Sequence, residues 1–320
     1  MSYIKAVAAL TVGLALFTGP LTQAAAYSAV YVFGDSLSDN GNFFALTGGG
    51  LPQAPYFNGR FSNGPAAVER MTSAMGAPLR DYAVGGAGTG LTNTEVLPTA
   101  PPALYNTGML SQVQNFQASL TAPADAAALY FVWGGSNDFI HGDLSTPASR
   151  AALITSVITN LNTAVASLYV SGARKFLLPT MPDLGLTPLA LSLGPAQAAG
   201  LTAISAAFDA ALAASYGGLL ASLPGAGFTV FDTFGAQHQL LANAPALGFT
   251  NTTQGCFTGF VGVPGTVCST PGSYLYWDDR HPTASVNQIL GAQLLASIPE
   301  PASAGLVGLG LLLASWRRRA

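Results

Sequence analysis

A serine near the start of the chain and a histidine near its far end are the residues best placed to do chemistry. Ser36 lies in the Gly-Asp-Ser-Leu run of residues 34–37, directly after the apolar segment 29–33. His281 follows Asp278 by three residues, so one tight turn can bring imidazole and carboxylate together. A serine hydroxyl becomes a good nucleophile when a base takes its proton, and a carboxylate fixes the tautomer of that base. The three side chains therefore predict acyl transfer through an attacking serine.

Each of these residues also has an ordinary structural explanation. Ser36 or Asp39 is suited to cap a helix in an ordinary strand-to-helix turn after the apolar segment. A single histidine is most often a buried structural imidazole. Asp279 competes with Asp278 as the partner of His281. We favour Asp278 because of its spacing and assign Asp279 to solvent or to a helix cap. The chemistry is expected only if the fold brings the two ends of the chain together.

Acyl transfer also requires hydrogen-bond donors directed at the oxyanion, and two glycine-containing runs offer them. Residues 82–87 (Tyr-Ala-Val-Gly-Gly-Ala) begin with a short apolar run, the second strand candidate, and continue into two glycines. These glycines let the main chain approach a ligand closely. Residues 133–138 (Trp-Gly-Gly-Ser-Asn-Asp) follow the third candidate and present the amide of Asn137. Because Gly and Asn favour turns, both runs are also compatible with simple strand-ending turns.

The elements that must position these residues alternate along the chain. Short apolar runs bounded by turn residues are typical of strands buried on both faces of a parallel sheet. They occupy residues 29–33, 82–84, 127–133, 175–178 and 228–231. Ala-rich or amphipathic stretches predict helices at residues 65–75, 108–120, 147–170 and 195–223. The alternation predicts a three-layer α/β domain with its ligand site at the carboxyl ends of the strands.

Two irregular segments, residues 40–63 and 244–273, flank the candidate catalytic residues and are expected to wall a substrate cleft. The second contains both cysteines of the chain, Cys256 and Cys268. In an exported protein a disulfide between them is the default expectation, with two unpaired thiols as the alternative. No second Cys or His pair lies near them in the sequence, so we expect no metal site there.

Both ends of the chain have the pattern of targeting segments. Residues 1–26 carry an early lysine, an apolar run and small residues before Tyr27, which predicts a secretory signal cleaved at that point. Residues 299–320 contain Pro-Glu-Pro, an apolar stretch and three arginines. This end resembles the PEP-CTERM sorting signal of bacterial extracytoplasmic proteins, in which a membrane protease called exosortase removes the tail. A permanent anchor is the alternative, with the arginines on the cytoplasmic side.

Either interpretation of the ends places the body, residues 27–298, outside the cytoplasm, as a secreted, periplasmic or cell-surface domain. If the C-terminal segment is a sorting signal, its helix is expected to associate with the membrane only transiently. Half of the chain is hydrophobic (50%), so one domain can bury a sizeable core. Only 8% of residues are charged and the net charge is −3, which leaves no basic surface to neutralise phosphates. Nucleic acid is therefore not an expected partner.

Four motifs, in order along the chain, resemble the conserved blocks of the GDSL, or SGNH, lipases and esterases. They are residues 34–37, 85–87, 135–138 and 278–281, and segments 56–65 and 178–185 are similar to parts of longer members. The resemblance covers essentially the whole body and implies a three-layer α/β/α, flavodoxin-like fold with a central parallel five-stranded sheet. One departure is Asp81, which precedes Tyr82 where many members have asparagine.

The resemblance also implies a role for each site residue. Ser36 would be the nucleophile, His281 its base and Asp278 the partner of that base. The oxyanion would be bound by the N–H of Ser36, the N–H of Gly86 and the side-chain amide of Asn137. The glycine that precedes Gly86 stays open as an alternative donor. No metal or organic cofactor is required for this chemistry.

Three functions follow from these patterns. The leading hypothesis is a secreted carboxylic-ester hydrolase acting on lipid or short-chain esters. A rival within the same chemistry is a carbohydrate O-acetyl esterase acting on exopolysaccharide, because the sorting signal resembles those of bacteria that make such polymers. From another class, the protein would be a catalytically idle matrix or adhesion component that kept the fold.

Overall fold

The computed structural model describes residues 27–299, so the predicted signal at residues 1–26 and residues 300–320 of the predicted sorting segment lie outside the described residues. At the centre of the fold is a five-stranded sheet made of β1 (Val30–Gly34), β2 (Leu79–Asp81), β3 (Leu129–Trp133), β4 (Lys175–Pro179) and β5 (Gly227–Phe231). The strand order is β2-β1-β3-β4-β5, and every neighbouring pair is parallel. This confirms the predicted central parallel five-stranded sheet.

The register of the sheet decides which loops emerge together at its carboxyl edge. Gly34, the last residue of β1, lies opposite Trp133, the last residue of β3. Val32 of β1 lies opposite Asp81, the last residue of β2. Because all strands run in the same direction, the loops after β1, β2 and β3 leave from one edge. The loops that carry the candidate nucleophile and oxyanion donors therefore start side by side.

One strand prediction was wrong. β2 spans Leu79–Asp81, and the apolar segment 82–84 follows it as the start of a loop. The reason is that β2 is an edge strand, and an edge strand does not need apolar residues throughout because one of its sides is open. Arg80 is accordingly exposed there. The N–H of Ala83 donates to the carboxylate of Asp81 at 2.8 Å, and this local turn ends the strand.

Ten α-helices surround the sheet within residues 27–299. They are α1 (Asn42–Leu46), α2 (Ala67–Met75), α3 (Pro102–Tyr105), α4 (Met109–Ser119), α5 (Ser136–His141), α6 (Pro147–Ser171), α7 (Pro188–Ser192), α8 (Pro195–Ser222), α9 (Thr233–Ala242) and α10 (Ala284–Ser297). Short 3-10 helices occupy Leu184–Leu186 and Pro271–Ser273. The four helices predicted from the sequence are α2, α4, α6 and α8, and their observed ends lie within two residues of the predicted ones.

Helices cover both faces of the sheet, and each face has its own hydrophobic core. Helices α4, α6 and α8 pack over Phe33, Tyr130 and neighbouring side chains on one face. Helices α2 and α10 pack over Val32, Phe131 and their neighbours on the other. The central strand β3 is buried along its whole length, as a strand covered on both faces must be. This is the predicted three-layer α/β/α architecture.

The irregular segment 244–273 is held by a second sheet of two parallel strands, β6 (Asn251–Gly255) and β7 (Tyr274–Tyr276). Neither strand was predicted, because β6 consists of polar residues without an apolar pattern. A disulfide joins Cys256, directly after β6, to Cys268, which confirms the predicted bond. The N–H of Cys268 also donates to the carbonyl of Cys256 at 2.7 Å. Since β7 leads straight into the Asp-His turn, the disulfide-bonded loop is anchored beside that turn.

Candidate active site

Ser36 lies two residues beyond the end of β1, in a tight turn at the carboxyl edge of the sheet. The N–H groups of Ser38 and Asp39 both donate to the carbonyl of Asp35 at 3.0 Å, which turns the chain sharply. Gly34 is needed before the turn, because a Cβ there would lie 2.5 Å from a carbonyl oxygen of β3. The N–H of Ser36 has no hydrogen-bond partner among residues 27–299, so it is free to serve a ligand.

The fold brings Ser36, Asp278 and His281 together, although 245 residues separate the serine from the histidine. The Nε2 of His281 lies 2.9 Å from the Ser36 Oγ, and its Nδ1 lies 2.7 Å from the Asp278 Oδ2. The other carboxylate oxygen, Oδ1, accepts the N–H groups of His281 at 2.8 Å and Arg280 at 3.0 Å. One oxygen of Asp278 therefore shapes the tight turn, and the other orients the imidazole.

The turn that carries His281 is fixed between β7 and α10. The N–H of Trp277 donates to the carbonyl of His281 at 2.7 Å, and the N–H of Thr283 donates to the carbonyl of Leu275 at 3.0 Å. The hydroxyl of Thr283 accepts the N–H of Val286 at 3.5 Å, which caps the start of α10. His281 is 3% exposed, so the imidazole is presented from a packed element and not from a free loop.

Asp278 is held in its charged form despite its complete burial. Burial favours the neutral acid, but the charge of His281 and the hydrogen bonds to the carboxylate outweigh it and lower the pKa of Asp278. Tyr56 supplies a further donor, because its hydroxyl donates to the Asp278 Oδ2 at 2.7 Å. Burial and the adjacent Asp278 charge raise the pKa of Tyr56, so the phenol keeps its proton at neutral pH.

Tyr56 is a site residue that the sequence motifs did not indicate. It lies 222 residues from Asp278, in the loop-like segment 40–63, where aromatic side chains are expected simply to pack. A usable signal was present, because Tyr56 is the only one of the five aromatic residues of that segment with a hydroxyl. A buried hydroxyl requires a hydrogen-bond partner. The sequence could therefore have singled out Tyr56, but not its partner.

Asp279 does not compete for His281. Its Oδ1 lies 2.9 Å from the Nε of Arg280, and its side chain is 36% exposed. Arg280 also pairs with Glu95 at 2.9 Å, and the same oxygen of Glu95 lies 2.9 Å from the Nε2 of His141. The hydrogen bond from His141 lowers the pKa of Glu95, helped by the charge of Arg280 and opposed by burial. These four side chains, at positions 95, 141, 279 and 280, form a polar rim beside His281.

The glycine turn after β2 distinguishes its two glycines. The N–H of Gly85 donates to the Asp39 Oδ2 at 2.7 Å, so this donor is already engaged. The N–H of Gly86 has no hydrogen-bond partner in the part of the chain that the structure describes. Gly86 has a φ of +77°, and a Cβ there would lie 2.5 Å from the Asn93 Oδ1, so only glycine fits. The geometry therefore favours Gly86 over Gly85 as an oxyanion donor.

Asp39 ties the serine turn to the glycine turn. Its Oδ1 accepts the N–H groups of Gly41 and Asn42 at 2.7 and 2.6 Å. Its Oδ2 accepts those of Phe43 and Gly85 at 3.0 and 2.7 Å. Burial raises the pKa of Asp39 to about 6, although these four hydrogen bonds act in the opposite direction. One buried side chain thus sets the relative position of two loops of the site.

Asn137 reaches the site from α5, which begins just after β3. Its Nδ2 donates to the carbonyl of Ala87 at 3.0 Å, which directs the amide toward the glycine turn. The next residue, Asp138, accepts the N–H and hydroxyl of Thr89, both at 2.9 Å, and joins the same two loops. Asn137 and Ser36 line the same cavity. The remaining N–H of the amide is free of protein partners among residues 27–299.

Asp81 is accommodated by backbone donors. Its carboxylate accepts the N–H of Ala83 at 2.8 Å and the N–H of Asn40 at 3.1 Å. Burial raises the pKa of Asp81 well above the usual value. The Nδ2 of Asn42 bridges the carbonyls of Asp81 and Ala83 at 3.0 and 2.8 Å. Asp81 therefore orders the chain before the glycine turn and does not engage the N–H of Gly86.

An apolar cavity opens beside Ser36 and His281 and extends between α9 and α10. Among residues 27–299, no group of three or more His, Cys, Asp or Glu side chains is arranged to hold a metal ion. The groups gathered around the cavity mouth are instead a hydroxyl, an imidazole and hydrogen-bond donors. Such a set is suited to acyl transfer.

The part of the chain that contains this site matches the model of a known enzyme family. The family model described as GDSL-like lipase/acylhydrolase matches residues 30–294, which is most of the chain. The PEP-CTERM protein-sorting motif matches residues 297–319. The chain belongs to the GDSL-like lipases and acylhydrolases and is a carboxylic-ester hydrolase. Its sorting motif is that of bacterial extracytoplasmic proteins.

Individual relatives show how far the similarity extends. Acetylajmalan esterase 2 of Rauvolfia serpentina is 28% identical over 331 residues, which cover 85% of this chain and 90% of the relative. Lipase 1 of Photorhabdus luminescens is 34% identical over 200 residues, which cover 60% of this chain and 29% of the relative. A solved structure of LAE5, an alpha/beta hydrolase enzyme from the metagenome of Lake Arreo, covers 85% of this chain and 95% of its own at 14% identity and a TM-score of 0.47.

Proposed function

We propose that the protein hydrolyses carboxylic esters through a Ser36-His281-Asp278 triad and an acyl-enzyme intermediate. The observation that carries this proposal is the unbroken chain of contacts from the Ser36 Oγ to the His281 Nε2 (2.9 Å) and from the His281 Nδ1 to the Asp278 Oδ2 (2.7 Å). A hydroxyl, an imidazole and a carboxylate in this order supply a nucleophile, a base and the group that orients the base. Membership of an acylhydrolase family supports an ester as the substrate.

In the first half of the reaction, the Ser36 Oγ attacks the ester carbonyl carbon while the His281 Nε2 takes the hydroxyl proton. The imidazolium keeps its Nδ1–H on Asp278, whose negative charge stabilises it. When the bond to the alcohol breaks, His281 gives its proton to the leaving oxygen. The acyl group is then esterified to Ser36.

The second half reverses these roles with water. His281 takes a proton from a water molecule, whose oxygen attacks the acyl carbon. The carbon–oxygen bond to Ser36 breaks, and His281 returns the proton to the Ser36 Oγ. The acid leaves, and the enzyme is restored without any change of oxidation state.

Three donors stabilise the negative oxygen that forms in both halves. They are the N–H groups of Ser36 and Gly86 and the free N–H of the Asn137 amide. The unengaged state of both backbone N–H groups supports this assignment. Donors fixed in advance by the surrounding loops cost no reorganisation during the reaction and are usually the largest single contribution to such catalysis.

The direct test compares two serines of the same turn. Ser36→Ala removes the proposed nucleophile and is expected to lower the kcat for a p-nitrophenyl ester by about 10⁴-fold or more. Ser38→Ala is the matched control, since its buried hydroxyl has no hydrogen-bond partner among the described residues. The control should keep near wild-type turnover. Full activity of purified Ser36→Ala would remove Ser36 from the mechanism.

We further propose that residues 1–26 direct export and are cleaved before Tyr27, and that exosortase-type processing removes the C-terminal tail after transient membrane association. The PEP-CTERM match supports sorting of this kind. The test is the intact mass of the protein recovered from a bacterium that encodes an exosortase. A mature N-terminus at Tyr27 and loss of the arginine-containing tail are expected. Recovery of the full-length mass would contradict the proposal.

A further inference from the structure

The cavity beside Ser36 is a slot between one face of α9 and one face of α10. The side of α9 facing the cavity presents Thr233, Ala236, Gln237 and Leu240, and the side of α10 presents Val286, Ile289, Leu290 and Gln293. Both sets follow the i, i+3, i+4, i+7 spacing of a single helical face. Leu275 and Tyr276 of β7 complete the wall. The slot therefore belongs to the packed body of the domain.

Several polar atoms of the lining are already bonded within the protein. The Nε1 of Trp133 donates to the carbonyl of Thr180 at 2.9 Å. Gln237 donates to the Tyr276 hydroxyl at 3.0 Å, and its Oε1 accepts the N–H of Asp183 at 2.6 Å. The hydroxyl of Thr233 and the side-chain amide of Gln293 have no partner among the described residues, while the other α9 and α10 side chains named above are apolar or already bonded. The surface that the slot presents to a ligand is therefore largely hydrocarbon.

An ester consists of an acyl part and an alcohol part, and the cavity lining is not uniform in polarity. Arg280, which follows Asp279 and precedes His281, lines the cavity and belongs to the polar rim through its pair with Glu95 at 2.9 Å. The faces of α9 and α10 contribute mainly apolar side chains to the rest of the lining. A sugar or glycerol alcohol placed in the slot would lose hydrogen bonds to water without replacement, which is unfavourable for each buried hydroxyl. An alcohol placed at the polar rim keeps its hydrogen bonds to water.

We infer that the slot between α9 and α10 binds the acyl chain of the substrate, and that the preferred substrates are esters of aliphatic acids longer than acetate. This inference rests on the proposed function and specifies the substrate of the same site. The acyl chain occupies the slot from substrate binding until hydrolysis of the acyl-enzyme. The alcohol lies toward the polar rim and leaves from there.

The inference has a measurable consequence for substrate preference. Burial of one methylene group contributes about 0.8 kcal/mol, which corresponds to about a fourfold increase in kcat/KM. From acetyl through butanoyl and hexanoyl to octanoyl p-nitrophenyl esters, kcat/KM should rise until the slot is full. Acetylated sugars, which present no chain to the slot, should be poorer substrates than hexanoyl esters.

Ala236→Phe tests the slot by filling it. The phenyl ring displaces roughly two methylenes of acyl chain, so the ratio of octanoyl to acetyl kcat/KM should fall by about tenfold or more. Ala242→Phe is the matched control, because Ala242 ends the same helix, is exposed and lies outside the slot. It should reproduce the wild-type chain-length profile. Ile289→Ala, which widens the slot, should move the preferred chain length upward.

An organophosphonate that labels the active serine is applied to every variant, so that a protein that fails to fold is recognised. A lower octanoyl-to-acetyl ratio in Ala236→Phe, or a longer optimum in Ile289→Ala, supports the inference. An unchanged profile in labelled variants overturns it and leaves the proposed function intact, as does a wild-type preference for acetyl esters. A wild-type protein that is not labelled at Ser36 overturns the proposed function itself.

Discussion

Tyr56→Phe probes a side-chain hydrogen bond that extends the Ser-His-Asp chain beyond its three members. Asp278 receives four donors: the Tyr56 hydroxyl at 2.7 Å, the His281 Nδ1 at 2.7 Å, and the N–H groups of His281 and Arg280 at 2.8 and 3.0 Å. The variant removes one and leaves three. Because the carboxylate is fully buried and charged, loss of this bond should lower the free energy of unfolding by about 2 kcal/mol.

The effect on turnover should be smaller than the effect on stability. Tyr56 bonds the carboxylate in both the ground state and the transition state, so only the difference between the two bonds changes the rate. We expect kcat/KM to fall by no more than about tenfold. The loss of a donor to the charged carboxylate raises the pKa of Asp278 toward its usual range. The pH of half-maximal kcat/KM on the acid side should therefore move upward, which a merely structural residue would not cause.

The assay is urea unfolding together with the pH profile of kcat/KM on a p-nitrophenyl ester. Tyr31→Phe is the matched control, since the Tyr31 hydroxyl has no hydrogen-bond partner among residues 27–299 while its ring packs against Phe116 and Tyr130. The control should change the free energy of unfolding by less than about 0.5 kcal/mol. If Tyr56→Phe matched the control in both stability and pH profile, the reasoning about Asp278 would be refuted.

Asn137→Ala should lower kcat by about 10²–10³-fold with a native circular dichroism spectrum, and undiminished turnover would exclude the amide as an oxyanion donor. Replacement of Cys256 and Cys268 by alanine opens a loop with a sequence separation of 12 and should cost about 3 kcal/mol by urea unfolding, so an unchanged midpoint would deny the disulfide a role in stability. Asp278→Asn should destabilise the protein by about 3 kcal/mol at neutral pH, because it leaves His281 buried without its carboxylate. Because folding lowers the pKa of Asp278, the charged carboxylate stabilises the wild-type fold above the pKa of the unfolded chain, and this stabilisation is lost as pH falls through the folded pKa. The difference in free energy of unfolding between wild type and Asp278→Asn should therefore shrink below about pH 4. A difference that grows below that pH would contradict the lowered pKa.

The layered fold and the grouping of motifs follow from local patterns in the sequence. Short apolar runs separated by helices imply a parallel sheet, and a parallel sheet gathers the loops after its strands at one edge. Ser36 and Asn137 follow two such runs, so their proximity was predictable. The pairing of Asp278 with His281 was also predictable, because it depends on a single tight turn three residues long.

Contacts between distant loops could not be predicted in this way. Tyr56 meets Asp278 across 222 residues, and Glu95 meets Arg280 across 185, with no local pattern that specifies either partner. The engagement of Gly85 by Asp39, which separates Gly85 from Gly86, likewise depends on how two loops pack. The position of β2 was missed for a related reason, since an edge strand is stabilised by its neighbour and carries little hydrophobic signal of its own.

The central claim is that the Ser36 hydroxyl is the nucleophile of this ester hydrolase. The most direct measurement is peptide mapping by mass spectrometry after treatment of the wild-type protein with an organophosphonate. The account predicts one covalent adduct, located on Ser36, and turnover lost in proportion to labelling. An adduct on another residue that abolishes turnover, or full turnover after complete labelling of Ser36, would contradict it.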